Sequence, residues 1–365
     1  MTHVSDILVI GGGIAGLLCA REFVKQGYAT TLTERQKAGR EASWAGGGIL
    51  FPIYAWKQPE SILSLWKESF AMYPGLASEL RQSTGIDPEW YPCGMAIFDA
   101  DLEDAMAWCA RHALQASRID SSAAKELIPG IAGLGTASGL WLPEIAQIRN
   151  PRLLAALQID LKNKGAVLFE DTEVLRFHVN ANRIDAVETN RQTFCAAEIV
   201  IAAGAWSKAL TRPFVAQPEI FPVKGQMLLY KAQPDLLKSI VLREDRYLIP
   251  RLDGHILAGS TLEYRGFDKS ITAEARMELD SFAKRMLPSI CSAVLIDQWA
   301  GLRPASPSGV PYIGRHPVIA NLSFNCGHFR NGIATAPACA RLIVDLIANR
   351  IPDIAPEPYA ITRIR

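Results

Sequence analysis

Apolar residues along the chain fall into two patterns. Short continuous runs, as in Ile7-Leu8-Val9-Ile10 and Ile199-Val200-Ile201, are the pattern of strands buried on both faces of a parallel sheet. Elsewhere the apolar positions recur at helical spacing, as do Ile62, Leu63, Leu65, Trp66, Phe70, Leu76 and Leu80 between Pro59 and Gly85. That spacing predicts helix, with Pro74 dividing it in two. The chain opens with a strand at Asp6–Ile10, a helix at Ala15–Gln26 stopped by Gly27, and a strand at Thr30–Thr33. A strand at Gly94–Phe98 and a helix at Leu102–Ala116 follow. Asn150-Pro151 reads as the start of a helix reaching Lys164, with Asn150 as its cap. Strands are predicted at Ala166–Glu170, Val174–Phe177, Ile184–Glu188 and from Glu198. The second half is β-rich, at Gln226–Tyr230, Arg246–Pro250 and Ile256–Gly259. A helix at Ala273–Leu287 and a β segment ending near Trp299 come next. Gly301–Pro307, dense in glycine and proline, reads as a turn. A strand at Leu322–Asn325 then leads through a glycine-flanked loop into a helix ending near Ala348.

The first of these strands runs straight into Gly11-Gly12-Gly13-Ile14-Ala15-Gly16. Gly11, Gly13 and Gly16 fit a GxGxxG pattern: one glycine for the tight turn, one for close approach of a pyrophosphate, one for packing the helix on the strand. The helix that follows aims its free amides and positive dipole end at the phosphates. The second strand ends on Glu34, about twenty residues on, where this architecture hydrogen-bonds a ribose hydroxyl. Strand, glycines, helix, strand and acid in that order specify a dinucleotide site. The later glycine-rich stretch 130–139 lacks both the spacing and a preceding strand, so no second such site is predicted.

Composition narrows the class. With 365 residues, 49% hydrophobic and 21% charged, the chain is sized for two domains, or one elaborated one, of an ordinary globular protein. A net charge of +1 leaves no footprint for nucleic acid or an anionic membrane surface. Seven scattered cysteines without a CxxC argue for free thiols in a reducing compartment and against a metal site. The apolar run 7–20 is too short to span a bilayer and wrongly flanked for a signal peptide, so the expectation is a soluble cytoplasmic protein.

Two further stretches carry candidate chemistry. Within Gly39–Leu50, the triplet Gly46-Gly47-Gly48 suits a backbone lying close against a flat ligand, with Ser43 and main-chain amides as donors. Near the end, strand, Gly327-His328-Phe329-Arg330-Asn331-Gly332-Ile333 and helix repeat the strand–glycine turn–helix plan of the N-terminus.

GGGIAG with Glu34, Ala-Ala-Gly-Ala-Trp at 202–206, Gly-Leu-Arg-Pro at 301–304 and the Gly327–Ile333 loop, taken in order, resemble the FAD-dependent D-amino acid oxidase family. Within that family the pattern is most similar to the bacterial glycine oxidases of thiamine biosynthesis. The resemblance implies an α/β fold: a Rossmann-type FAD-binding domain (1–85, 140–215, 300–350) interleaved with a substrate domain on a large mixed or antiparallel sheet (86–139, 216–299). It implies non-covalent FAD, since Gly301–Gly309 has no cysteine of the kind that tethers flavin in sarcosine oxidases. Ile14 and Ala15 would meet the pyrophosphate, and Glu34 and Arg35 the adenosine ribose. Ala42, Ser43, Gly46, Gly47, Gly48 and Ile49 would approach the diphosphate and flavin, and the Val174 backbone the adenine. Gly204 and Trp206 would belong to the same seat, and residues 327–333 would wrap the flavin. Arg303 would take the substrate carboxylate with Tyr247, Arg330 would stand near substrate and flavin, and Ile49 and Leu262 would line the pocket.

The implied reaction is oxidation of glycine, sarcosine or D-alanine by hydride transfer from Cα to flavin. Dioxygen is the implied acceptor, hydrogen peroxide the by-product and a homotetramer the implied assembly. No side chain need act as acid or base, so His328 is expected to support the flavin loop. A quinone-linked D-amino acid dehydrogenase and a non-catalytic flavin-binding subunit are the alternatives.

Overall fold

The structure, a computed structural model, describes residues 2–363. Two eight-stranded sheets dominate it. In the first, the strands run in the order Tyr312–Arg315, Leu322–Cys326, Thr193–Ile201, Thr2–Ile10, Thr30–Thr33, Val167–Phe169, with the hairpin Val174–Asn180/Arg183–Thr189 attached to Thr193–Ile201. Its central pairings are parallel. Ile7 to Ile10 are all buried, as a strand covered on both faces must be. Helices Ile14–Lys25, Glu60–Thr84, Asn150–Asn163 and Gly332–Ile347 supply the cover on one face and share its core.

The second sheet runs Val294–Ala305, Phe221–Lys231, His255–Gly259, Arg246–Pro250, Ile240–Arg243, Met95–Ile97, Gly139–Leu142, Ser117–Ile119. It is antiparallel except where Ile240–Arg243 meets Met95–Ile97, so it is mixed. Helix Ala273–Met286 packs on it through Leu279, Phe282, Ala283 and Met286.

Three sequence expectations need correction. Gly301–Pro307 is not a turn up to Ala305: the strand Val294–Ala305 runs through it, pairing Gly301 with Gly225 and Pro304 with Pro222. This strand lies at the sheet edge, where the missing N–H of Pro304 breaks no ladder. Pro74 does not divide its helix, which is continuous over Glu60–Thr84. A proline removes one hydrogen bond, and the buried face from Ile62 through Tyr73 to Leu80 outweighs that loss. Asn150 is the first residue of its helix, not its cap; Arg149 occupies the cap position.

The last helix has a related problem and a visible solution. Pro337 cannot donate to the carbonyl of Ile333, and the hydroxyl of Tyr73 donates to that oxygen instead. Ser69 Oγ accepts from the Ala338 amide at 3.0 Å. Helix 60–84 thus repairs the first turns of helix 332–347, whose N-terminus faces the cavity described next.

Candidate active site

One continuous cavity lies where the two sheets meet. Its walls include the opening glycine turn, the Gly46–Gly48 loop, the 202–206 turn, strand residues Gly225, Met227, Tyr247 and Arg303, and the 328–333 loop. At the first of these, Gly11 has φ +115°, and a Cβ there would lie 2.4 Å from the Ala202 carbonyl oxygen. Gly16 is tighter still, since its Cβ would fall 1.9 Å from the Gly11 oxygen. Both are backbone-to-backbone approaches that only glycine permits. Helix Ile14–Lys25 starts at Gly13 without a side-chain cap on that residue. Ser43 Oγ accepts from the Ile14 amide at 2.9 Å, tying the turn to the Ala42–Ala45 helix.

Glu34 stands at the end of its strand and accepts from the Gly12 amide at 2.8 Å and the Gln36 amide at 3.0 Å. The Arg35 guanidinium lies 3.7 Å from the ring centre of Trp206, and Trp206 packs in turn on Phe267. Val174 lines the same end of the cavity together with Thr172 and Glu173.

The glycine triplet is held from outside. Asn150 Nδ2 donates to the carbonyls of Ser43 (2.8 Å) and Gly46 (2.9 Å). Arg251, buried, donates to the carbonyls of Gly47 (2.9 Å) and Ile148 (3.2 Å) and to Gln147. Burial and the nearby Arg149 push the Arg251 pKa down to about 10. A Cβ on Gly47 would strike Ile249 at 2.5 Å, and one on Gly48 would strike the Ile148 oxygen at 2.0 Å. Gly48, with φ +77° and a backbone oxygen in the way, has no room for a side chain.

Across the cavity, Arg303 leans flat over the neighbouring strand. A Cβ on Gly225 would meet its Nη1 and Nη2 at 2.3 Å, so glycine at 225 is the condition for that pose. Its donors go to neutral groups: the carbonyls of Lys224 (3.3 Å) and Thr261 (3.2 Å) and the hydroxyl of Ser260 (2.5 Å). Burial lowers its pKa, the Tyr247 hydroxyl raises it and the charge of Arg330 lowers it again. The Tyr247 hydroxyl donates to Met227 Sδ at 3.4 Å, a weak acceptor, and lies beside Arg303. A guanidinium that pairs with no carboxylate among the described residues has the chemistry to receive one. Arg330 stands at the wall 3.5 Å from Asp245.

Of the residues singled out by sequence, Leu262 does not line the cavity. Leu262, directly after the buried Thr261, is 40% exposed and off the wall. Gly16, Gly327 and Asn331 also stand back from the wall, whereas His328, Phe329, Arg330, Gly332 and Ile333 form it. Sequence reasoning passed over Gly225, Asp245, Arg251 and Ser260. Gly225 stands just before the predicted strand Gln226–Tyr230, between Lys224 and Gln226, so nothing in its local pattern marked it.

The cavity fits FAD on its own geometry. The buried polar atoms Thr33 Oγ1, Asn325 Oδ1 and His328 Nε2 have no partner among the described residues, and all three residues line the wall. Two helix N-termini and the two glycine cradles meet the needs of a diphosphate and a flat ring. Among the described residues no group of His, Cys, Asp and Glu could hold a metal ion, and no helix is long and apolar enough to cross a membrane.

Burial pushes His328 down to about 4, against a hydrogen bond with the Asn325 backbone, so it is neutral in the folded protein at neutral pH. Its contribution to stability is present above the unfolded value near 6.5 and is lost as pH falls toward 4. Between pH 7 and 4.5 the wild type is expected to lose about 2–3 kcal/mol more than His328→Leu in urea titrations. Parallel pH profiles would show that His328 takes up its proton in the folded state.

The chain matches the family model described as DAO, FAD dependent oxidoreductase, over residues 6–346. It is 42% identical over 358 residues to a glycine oxidase of Pseudomonas aeruginosa, covering 97% of this chain and 98% of that protein. It is 31% identical to the bifunctional protein ThiO/ThiG of Synechocystis, covering 96% of this chain and 52% of that protein. The crystal structure of glycine oxidase from Geobacillus kaustophilus superposes with a TM-score of 0.94 over 100% of both chains at 29% identity.

Proposed function

The chain belongs to the FAD dependent oxidoreductase family, and we propose that it is an amino-acid oxidase acting on glycine, sarcosine and D-alanine. The products are the 2-oxo acid, ammonia or the amine, and hydrogen peroxide, with dioxygen and water consumed. The observation that carries this reading is the Arg303 guanidinium, paired only with neutral groups and opening on the same cavity as the dinucleotide turn. FAD, when bound, supplies the hydride acceptor.

The protein's residues do the positioning. Gly11, Gly13, Ile14 and Ala15 take the pyrophosphate, Glu34, Arg35 and Val174 the adenosine end, and Gly46–Ile49 with 328–333 the flavin. Arg303 and Tyr247 fix the substrate carboxylate, which leaves one face of Cα presented. Gly47, Ile49, Phe51 and Met227 keep the remaining space small and apolar. The layer on the first sheet serves the cofactor and that on the second the substrate. Similarity to half of a ThiO/ThiG protein supports a role in supplying the imine for a thiazole ring. A cytoplasmic homo-oligomer completes the proposal.

Anaerobic mixing with glycine is expected to bleach the yellow holoenzyme, and readmitted air to restore it with glyoxylate and peroxide in equal amounts. Sarcosine and D-alanine should behave alike, while D-arginine and L-amino acids leave the colour unchanged. Acid precipitation should release the flavin to the supernatant. Turnover that needs an added quinone would assign the chain to the dehydrogenases instead.

A further inference from the structure

Lys224 is fully buried in the middle of the strand Phe221–Lys231, one residue before Gly225. A buried lysine is costly unless paired, and this one is paired twice, to Glu263 at 3.4 Å and Asp268 at 3.2 Å. Its backbone is equally committed. The Lys224 carbonyl accepts from both the Glu263 amide (3.0 Å) and Arg303 Nη1 (3.3 Å), and its own amide donates to the Glu263 carbonyl (2.9 Å). One peptide unit thus joins the acidic segment to the guanidinium.

Glu263 is the carboxylate whose charge acts on Arg303. It does not pair with it. Its oxygens are occupied by the Thr261 hydroxyl (2.5 Å), Gln226 Nε2 (2.9 Å) and Lys224 Nζ. Thr261 also gives its carbonyl to Arg303, so the acid and the clamp share a neighbour on either side. An uncompensated Glu263 beside the clamp would weaken it for an incoming carboxylate, and an internal cation cancels that effect.

We propose that Lys224 is a positioning residue for the substrate site: by neutralising Glu263 and Asp268 it leaves the charge of Arg303 to the substrate carboxylate. The inference rests on the reading of Arg303 given above. Lys224 acts on binding and not on the reacting atoms, so its removal splits KM from kcat.

The experiment uses the FAD-loaded protein, with acetate as a bare carboxylate probe read by the flavin absorbance shift, and glycine for kinetics. Lys224→Met should raise the acetate Kd and the glycine KM by about tenfold or more, the scale of an uncompensated charge several ångströms away, with kcat within about threefold. Lys224→Arg should stay near wild type, and Lys224→Met/Glu263→Gln should recover most of the loss. Should Lys224→Met not fold, Glu263→Gln alone decides: with the competing anion gone, acetate should bind about twofold or more tighter. Unchanged acetate binding in Lys224→Met, a double variant as weak as the single, or Glu263→Gln no tighter than wild type would overturn the inference. Arg303→Ala runs alongside. If it loses acetate binding while Lys224→Met keeps it, the Lys224 role alone falls; if it binds acetate as wild type does, the clamp falls and this inference with it.

Discussion

Arg303→Ala should lower kcat/KM for glycine by roughly two to four decades. Among the described residues no carboxylate pairs with the guanidinium: two main-chain carbonyls and the Ser260 hydroxyl hold its orientation. On the proposed reading a substrate carboxylate would become its paired anion, in a setting where burial already depresses its pKa. Removing one member of a buried pair costs about 3–5 kcal/mol because the other charge stays behind unpaired, and about 1.36 kcal/mol corresponds to tenfold. Arg303→Lys should recover little, since an ammonium cannot present the planar fork that Gly225 makes room for. Tyr247→Phe removes a neutral donor to a charged acceptor, about 1.5–3 kcal/mol or one to two decades. All three variants should purify yellow. Steady-state kinetics with glycine decide the matter, and an Arg303→Ala protein of near wild-type efficiency would move the carboxylate elsewhere.

Gly16→Ala should strip the protein of flavin. The added methyl would sit 1.9 Å from the Gly11 carbonyl oxygen and 3.3 Å from Val9 Cγ1. The first of these is main chain and cannot rotate away. Relief requires the helix Ile14–Lys25 to lift from the strand Thr2–Ile10, which opens the turn at which the pyrophosphate would sit. Overpacking of this kind costs about 1–3 kcal/mol in stability, and the displaced amides no longer converge on the phosphates. The flavin-to-protein absorbance ratio should fall to about a tenth of wild type or less. Gly27→Ala is the control: it has φ +87° but no atom within 4 Å of its Cβ. It should cost about 1 kcal/mol of strain and keep its flavin. Equal flavin content in the two variants would separate Gly16 from cofactor binding.

The parts of the fold written in local pattern were legible. The order strand, glycines, helix, strand, acid needs only neighbouring residues, and the first sheet follows it. What escaped depends on contacts between segments far apart in sequence. Glycine and proline at 301–304 read as punctuation because sequence does not reveal which strand lies at an edge, where a missing N–H is harmless. Asn150 looks like a cap because its local context is a cap's; its amide instead latches the Ser43 and Gly46 carbonyls. Arg251 gave no signal at all, since its value as a strut arises only when Gly47 and Ile148 come within reach. Leu262 was placed on the wall by resemblance, but it points to solvent directly after the buried Thr261.

The repair of the Pro337 helix by Tyr73 and Ser69 bears on how the protein is made. The cofactor seat combines the opening strand and glycine turn with a strand, loop and helix from 322–347, and the proline-broken first turns of that helix rest on residues 69 and 73. A chain emerging from the ribosome holds the earlier half of this seat long before the later half exists. Until residues 322–347 are free of the exit tunnel, the 60–84 helix exposes the side chains meant for Ile333 and Ala338, and the nucleotide turn lacks its opposite wall. Flavin capture at this seat would thus have to wait until residues 322–347 are in place, after the second sheet has been translated.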